Sequence, residues 1–239
     1  MLPQPAVGTD HPLHRFGPQT RRAQPASRHA AALAHENETL AHAMQLMGAT
    51  MSYPHNAEIF GENEPAEYLY KVVSGSVRTY KILTDGRRQI GGFYLAGDIF
   101  GLQFADEHTF SAEAITDTKV LVVKRSTLAA LAGRDAAVAR ELFTLAGREL
   151  KRVQERILLL VKSAQERVAG FLIEMAERAA AGNIVELPMS RQDIADYLGL
   201  TIETVSRTLT GLESTAAIEV PSSRRIVLRN RSALNRLNG

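Results

Sequence analysis

The chain has 239 residues, 45% of them apolar and 23% charged, which allows one or two domains with an ample core. A formal charge of +2 tilts it toward polyanions without requiring one. It has no cysteine, which excludes disulfides, cysteine-ligated zinc, thiol nucleophiles and cysteine-held iron–sulfur clusters together.

Residues 1–28 combine proline with glutamine, histidine and arginine and show no periodicity, the composition of a disordered tail. His11, His14 and His29 are scattered there as solvated residues rather than metal ligands. No apolar signal core opens the chain and no run of about 18 apolar residues occurs, so a cytoplasmic protein with no membrane partner is expected. A short helix is expected near His35–Met47. From Met51 to Lys124 the pattern changes to short strands, expected at Tyr68–Val73, Ser76–Thr84, Arg87–Tyr94 and Lys119–Lys124. Asp85-Gly86 between two of them predicts a type I′ hairpin with positive φ at both central residues. Closely spaced strands with glycine turns at Gly75, Gly91, Gly92, Gly97 and Gly101 indicate an antiparallel barrel or sandwich.

A long helix is expected over Asp135–Val161. Phe143, Ala146, Leu150, Val153, Ile157 and Leu160 recur every three or four residues, the stripe of a coiled-coil seam. The charged residues Arg148, Glu149, Lys151, Arg152, Glu155 and Arg156 surround it. The stripe either packs on the protein's own barrel or joins two copies in a parallel homodimer, and its span of almost three heptads favours the homodimer. A hinge at Lys162-Ser163 leads to a helix over Gln165–Ala180, a strand at Ile184–Leu187, and a terminal hairpin pairing Ile218–Val220 with Arg225–Arg229 around Pro221-Ser222-Ser223.

Between these lies the stretch richest in chemical information, Arg191–Thr210, read as helix, three-residue turn, helix. Ile194, Leu198, Leu200, Val205 and Leu209 have the spacing two short helices need to share a buried seam. Gly199 falls where the first helix must stop. Ser190 and Thr201 are the expected N-caps. With Thr201 as cap, Glu203, Ser206 and Arg207 share one face. Arg can pair with guanine O6 and N7, Glu can accept from cytosine N4, and Ser can serve either kind of base edge. Glu203 and Arg207 are also four apart, so the plain alternative is a weak surface ion pair. Residues 163–239 hold nine arginines and nine acids, so any basic surface there is local. Arg224, Arg225, Arg229 and Arg231 cluster beyond the second helix, placed to meet phosphates or to form a solvated hairpin.

Leu187–Leu228 resembles the C-terminal domain of the Crp/Fnr family of bacterial transcription regulators, and the likeness extends back to about Ala43. Ile202-Glu203-Thr204-Val205-Ser206-Arg207 is similar to the E-x-x-S-R recognition helix of the FNR and FixK branch, whereas Crp carries an arginine where Ile202 stands. Tyr94–Gly101 (YLAGDIFG) resembles the Y-x-x-G-D-x-F-G segment of the family's β-roll. The resemblance implies an α+β chain with four parts. These are a disordered tail (1–28), an antiparallel β-roll like that of cyclic-nucleotide-binding proteins with short flanking helices (29–133), a dimerisation helix (134–162) and a winged helix-turn-helix (163–239).

It also implies double-stranded DNA carrying a TTGAT–N4–ATCAA inverted repeat as target, with low-oxygen or nitrogen-fixation genes under control. By this analogy Arg207 reads guanine, Glu203 the opposite strand, and Ser206 a flanking base. Ser190, Thr201, Thr204, Arg224 and Arg225 position the backbone. RNA polymerase is the further partner, and Thr84–Arg88 is one candidate contact.

The nucleotide pocket departs from the family's pattern. Leu102 follows Gly101 where nucleotide binders have Glu, and residues 108–114 lack the arginine that would hold the cyclic phosphate. No cyclic nucleotide, cofactor or metal is therefore expected. Glu113 is read as half-buried with a backbone partner, and His108 as a loop histidine rather than a haem ligand. The remaining alternative is a haem- or small-molecule-gated regulator of the same fold. An enzyme reading lacks the His-x-His set of metal-holding barrels.

Overall fold

The computed structural model describes residues 39–103, 105–159, 161–179 and 182–238. The expectations for the tail, for His11, His14 and His29, and for Leu160 lie outside them. Helix α1, described over residues 39–47, leads into eight strands: β1 (Ala49–Tyr53), β2 (Glu58–Phe60), β3 (Tyr68–Ser74), β4 (Ser76–Ile82), β5 (Arg88–Leu95), β6 (Ile99–Phe100), β7 (Ser111–Ala114) and β8 (Thr118–Lys124). They form two four-stranded antiparallel sheets, ordered β1-β8-β3-β6 and β2-β7-β4-β5. Val72, Val77, Val120, Phe60, Tyr70 and Phe100 fill the space between the sheets. Tyr70 and Phe100 stack at 5.1 Å, and Phe100 meets Tyr94 at the same distance.

All four expected strands are present. The four others, β1, β2, β6 and β7, escape a periodicity reading because three are two to five residues long at a sheet edge or end, and β7 is Ser-Ala-Glu-Ala. The turn between β4 and β5 is not the expected type I′. Only Gly86 has positive φ (83°); the Gly86 N–H bonds to the Leu83 carbonyl at 2.9 Å and the Leu83 N–H to the Arg87 carbonyl at 2.8 Å. This is a three-residue loop, a type I turn closed by a left-handed glycine. Asp85 is not among the positive-φ residues, and its carboxylate accepts from the Arg87 N–H at 3.0 Å across the turn. Further along, Gly92 pairs with Thr79 and Ile90 with Tyr80, so Gly91 bulges from β5. A Cβ at Gly91 would lie 2.8 Å from the Thr79 hydroxyl, so glycine alone fits there.

Helix α2 (Arg125–Ala132) is followed by the long helix α3 (Ala136–Leu159), capped by the Asp135 carboxylate on the Ala137 N–H at 2.8 Å. Val138, Glu141, Leu142, Leu145, Glu149, Arg152 and Arg156 lie on the covered face of α3. The buried Glu141 carboxylate accepts from the Leu40 N–H at 2.7 Å, supplying a partner to the α1 backbone. The stripe points elsewhere, roughly 100° around the helix from the covered face. Phe143 is 81% exposed, Leu150 60%, Val153 54% and Ile157 60%, while Ala146 is half-buried. The helix therefore carries two apolar faces, one used within the chain and one uncovered.

At the hinge, Ser163 and Glu166 form reciprocal side-chain-to-backbone bonds, 2.6 Å from the Ser163 N–H and 3.3 Å from the Glu166 N–H, which start α4 (Ala164–Ala179). Then come β9 (Ile184–Glu186), α5 (Arg191–Leu198), α6 (Ile202–Ser214), β10 (Ile218–Ser222), β11 (Arg225–Leu228) and α7 (Arg231–Asn238). The strands form one sheet ordered β10-β11-β9. The last helix was not expected. Its Arg-Ser-Ala-Leu-Asn-Arg-Leu-Asn sequence has few apolar residues, and Leu234 buries its side chain completely. The final hairpin also turns one residue later than expected, at Ser223-Arg224, because β10 runs through Pro221 to Ser222.

The β-roll and the C-terminal elements share a core. Phe93 of β5 meets Phe171 of α4 at 6.2 Å and Tyr197 of α5 at 5.1 Å. Arg178 of α4 donates to the Phe93 carbonyl at 2.7 Å and to Asp98 at 2.6 Å. Among the described residues no helix is long and apolar enough to cross a membrane.

Candidate nucleic-acid interface

Helix α5 begins with two reciprocal bonds. Ser190 Oγ accepts from the Asp193 N–H at 3.1 Å, and Asp193 Oδ2 accepts from the Ser190 N–H at 2.9 Å. The helix ends at Gly199, whose φ of 64° and ψ of 41° are left-handed, and the Arg167 guanidinium donates to the last carbonyl, Leu198 O, at 3.0 Å. Thr201 starts α6 by accepting from the Thr204 N–H at 3.2 Å, and the two threonine hydroxyls lie 3.1 Å apart. Ile194, Leu198, Val205 and Leu209 are each at most 3% exposed, so the two helices move as one body. Leu200 is only partly buried at the edge of that seam.

The same seam turns the other face of α6 outward. Glu203, Ser206 and Arg207 are all exposed. The alternative, a Glu203–Arg207 surface ion pair, is not formed: among the described residues no ion pair or hydrogen bond engages the Arg207 guanidinium. The Glu203 carboxyl is held below the usual carboxylate range by its own backbone N–H first, then by the Thr201 hydroxyl, with the Arg207 charge a smaller contribution. It is therefore a fixed acceptor at neutral pH, beside a guanidinium whose donors face solvent.

In the wing, Arg224 stands at the exposed turn and its carbonyl accepts from the Leu187 N–H at 2.7 Å. Arg225 and Arg229 are partly committed, to Glu186 at 3.3 Å and to Glu219 at 2.8 Å. Of the basic cluster Arg224 thus has the freest side chain, a distinction composition does not make. Sequence reasoning also missed Arg167, which caps α5 from thirty-one residues away. It missed as well the β-roll side chains that reach α5. No local pattern signals such contacts.

Two domain models match the chain, that of a Crp-like helix-turn-helix domain over residues 166–237 and that of a cyclic nucleotide-binding domain over residues 50–135. The nitrogen fixation regulation protein FixK of Azorhizobium caulinodans is 48% identical over 244 residues, covering 100% of this chain and 96% of that one. The chain belongs to the Crp/Fnr family. Within it the match is to the FixK branch: FixK of Rhizobium meliloti is 40% identical, covering 78% of this chain and 85% of that one. The solved structure of FixK2 from Bradyrhizobium japonicum aligns with a TM-score of 0.78 at 52% identity, over 81% of this chain and 98% of that chain. This Crp/Fnr protein is a DNA-binding transcription regulator; the relatives it matches are regulators, not enzymes.

The family member's β-roll, α3 and α5 line an open cavity of ≈ 610 Å³ bordered by Tyr94, Phe100, Leu102, Ile157, Tyr197 and Gly199, among others. The arginines at its wall are engaged by the protein: Arg156 donates to the Ile90 and Gly91 carbonyls and lies 4.7 Å over the Tyr197 ring, and Arg167 donates to the Lys162 and Leu198 carbonyls. Glu113 differs from the expectation, since its partner is the Arg78 side chain at 2.6 Å rather than the backbone. His108 does lie in a loop but is only 1% exposed, stacked on Phe60 at 3.6 Å with Nδ1 unpartnered.

Proposed function

We propose that this regulator works as a homodimer on an inverted repeat of the TTGAT–N4–ATCAA type. Arg207 pairs with guanine, Glu203 takes the cytosine-bearing strand, and Ser206 lies against a flanking base. Ser190, Thr201, Thr204, Arg224 and Arg225 fix the backbone. Arg225 exchanges its exposed pairing with Glu186 for a phosphate. The observation that carries this reading is the outward triad on a doubly capped helix, with a guanidinium that makes no hydrogen bond or ion pair among the described residues. The uncovered stripe of α3 supports the dimer, which sets two recognition helices about 34 Å apart on one face of the duplex.

Functionally the chain divides at 29–133, 134–162 and 163–239. It acts in the cytoplasm, contacts RNA polymerase through the β-roll, and controls low-oxygen or nitrogen-fixation genes, the second of these being what its FixK relatives' name states. The cavity's arginines are bonded to protein carbonyls, which argues against a cyclic phosphate as ligand. Selection of bound sites from random DNA by the purified protein tests the reading. Enrichment of paired, inverted TTGAT half-sites is expected; enrichment of single or direct-repeat sites would overturn it. A second reading, an effector-gated regulator of the same fold, rests on the size of the cavity. Operator affinity raised by an added small molecule, or absorbance at haem wavelengths, would favour it.

A further inference from the structure

Helix α5, the first of the DNA-reading pair, is held by the β-roll through ionic bonds. Asp193 divides its two oxygens. Oδ2 caps α5 through Ser190, while Oδ1 accepts from Arg78 Nη1 at 3.0 Å and from Arg88 Nη2 at 2.6 Å. Three residues later, Asp196 Oδ2 accepts from Arg88 Nε at 2.8 Å, and the Asp196 carbonyl from Gln89 Nε2 at 2.7 Å. The Asp193 side chain is 3% exposed, Arg78 11% and Arg88 25%, so water screens these bonds far less than a surface pair. Glu113 holds the second arm of Arg78. The anchors sit on neighbouring strands β4 and β5, and they grip α5 at two points along its length. Two points fix a direction, where one would fix only a pivot.

We propose that Arg78 and Arg88 are positioning residues for operator recognition, setting the half-site spacing that the dimer accepts. This role presupposes the inverted-repeat reading above. The chain of rigid parts is continuous: α6 is sealed to α5 by their seam, α5 is clamped to β4 and β5, and α3 packs on the same β-roll. The clamp therefore ties the recognition helix to the helix that carries the dimer axis. A tilt of roughly 10° swings the far end of the 13-residue α6, about 20 Å long, by roughly 3.5 Å, close to the 3.4 Å rise of one base pair. Orientation errors of this size exchange one spacer length for the next.

The test uses the full-length protein and a series of inverted repeats with spacers of two to six base pairs, read by fluorescence anisotropy. Wild type peaks at one spacer. Arg88→Glu loses roughly tenfold or more at that spacer and about threefold or less at its neighbours, so the profile flattens. Arg88→Lys keeps one cation facing both Asp193 and Asp196 and keeps most of the peak, which separates the charge at this position from its mere replacement. Gln89→Ala removes one neutral bond, keeps the charges, and flattens the profile mildly should Arg88→Glu fail to fold. Equal loss at every spacer, no loss, or an Arg88→Lys profile as flat as that of Arg88→Glu would overturn the clamp. A wild type without any spacer optimum would overturn the inverted-repeat reading instead.

Discussion

Replacing Arg207 by alanine separates recognition from folding more cleanly than any other change in the reading unit. Its guanidinium has no partner among the described residues and the side chain is exposed, so the folded protein loses almost nothing; the unfolding free energy should move by no more than about 0.5 kcal/mol. On DNA a bidentate guanine contact contributes about 1–3 kcal/mol. Two copies on an inverted repeat double this to about 2–6 kcal/mol, roughly thirtyfold to twenty-thousandfold in affinity. The loss must be selective. Titrations against the operator, against a duplex with the guanine of each half-site replaced, and against unrelated DNA should show the variant binding the first two alike. Affinity for unrelated DNA stays close to wild type, because phosphates supply it. Equal losses on operator and unrelated DNA would refute the base-reading assignment. An unfolding midpoint that falls in step with affinity would refute the premise that the side chain is free.

Other expectations follow from single features. Ser190→Ala removes the reciprocal cap of α5 and should cost about 1 kcal/mol, a fall of roughly 2–4 °C in melting temperature; an unchanged transition would mean that Asp193 alone organises that turn. Leu150→Asp alters a side chain 60% exposed in the single chain, so folding persists while sedimentation shows monomers and operator binding collapses; a dimer surviving it would remove α3 from the interface. Burial pushes the His108 imidazole below its ordinary value of 6.5, so the unfolded chain takes up the proton first. The associated stability is fully present above pH 6.5 and is lost as pH falls through the folded value. His108→Phe, which keeps the stack on Phe60, should flatten the acid limb of urea midpoints measured between pH 7.5 and 5; an equally steep limb would assign it to other groups.

Periodicity and capping chemistry made the helix-turn-helix legible, because Ser190, Gly199 and Thr201 each act on neighbours within four residues. The long helix and the four longer strands were readable for the same reason: their patterns repeat over many residues. Strands β2, β6 and β7 were not, since pairing with partners far along the chain shapes them more than their own residues do. Glu113 shows the limit clearly. Its neighbours in sequence gave no sign of Arg78, which lies across the β4–β7 ladder in register with it. The clamp on α5 was hidden likewise, as it joins residues 105–115 positions apart. In the wing, composition counted arginines alike, whereas Glu186 and Glu219 set Arg224 apart from the rest.

The uncovered stripe of α3 bears on how much of this protein a cell must make. Phe143, Leu150, Val153 and Ile157 find no cover among the described residues, because the face of the helix that meets the β-roll lies roughly 100° away from them. On the proposed dimer, the active species below its dissociation constant grows as the square of the subunit concentration, so halving expression leaves about a quarter of the dimer. Synthesis and degradation of the chain then act directly on its target promoters, with abundance itself carrying the signal.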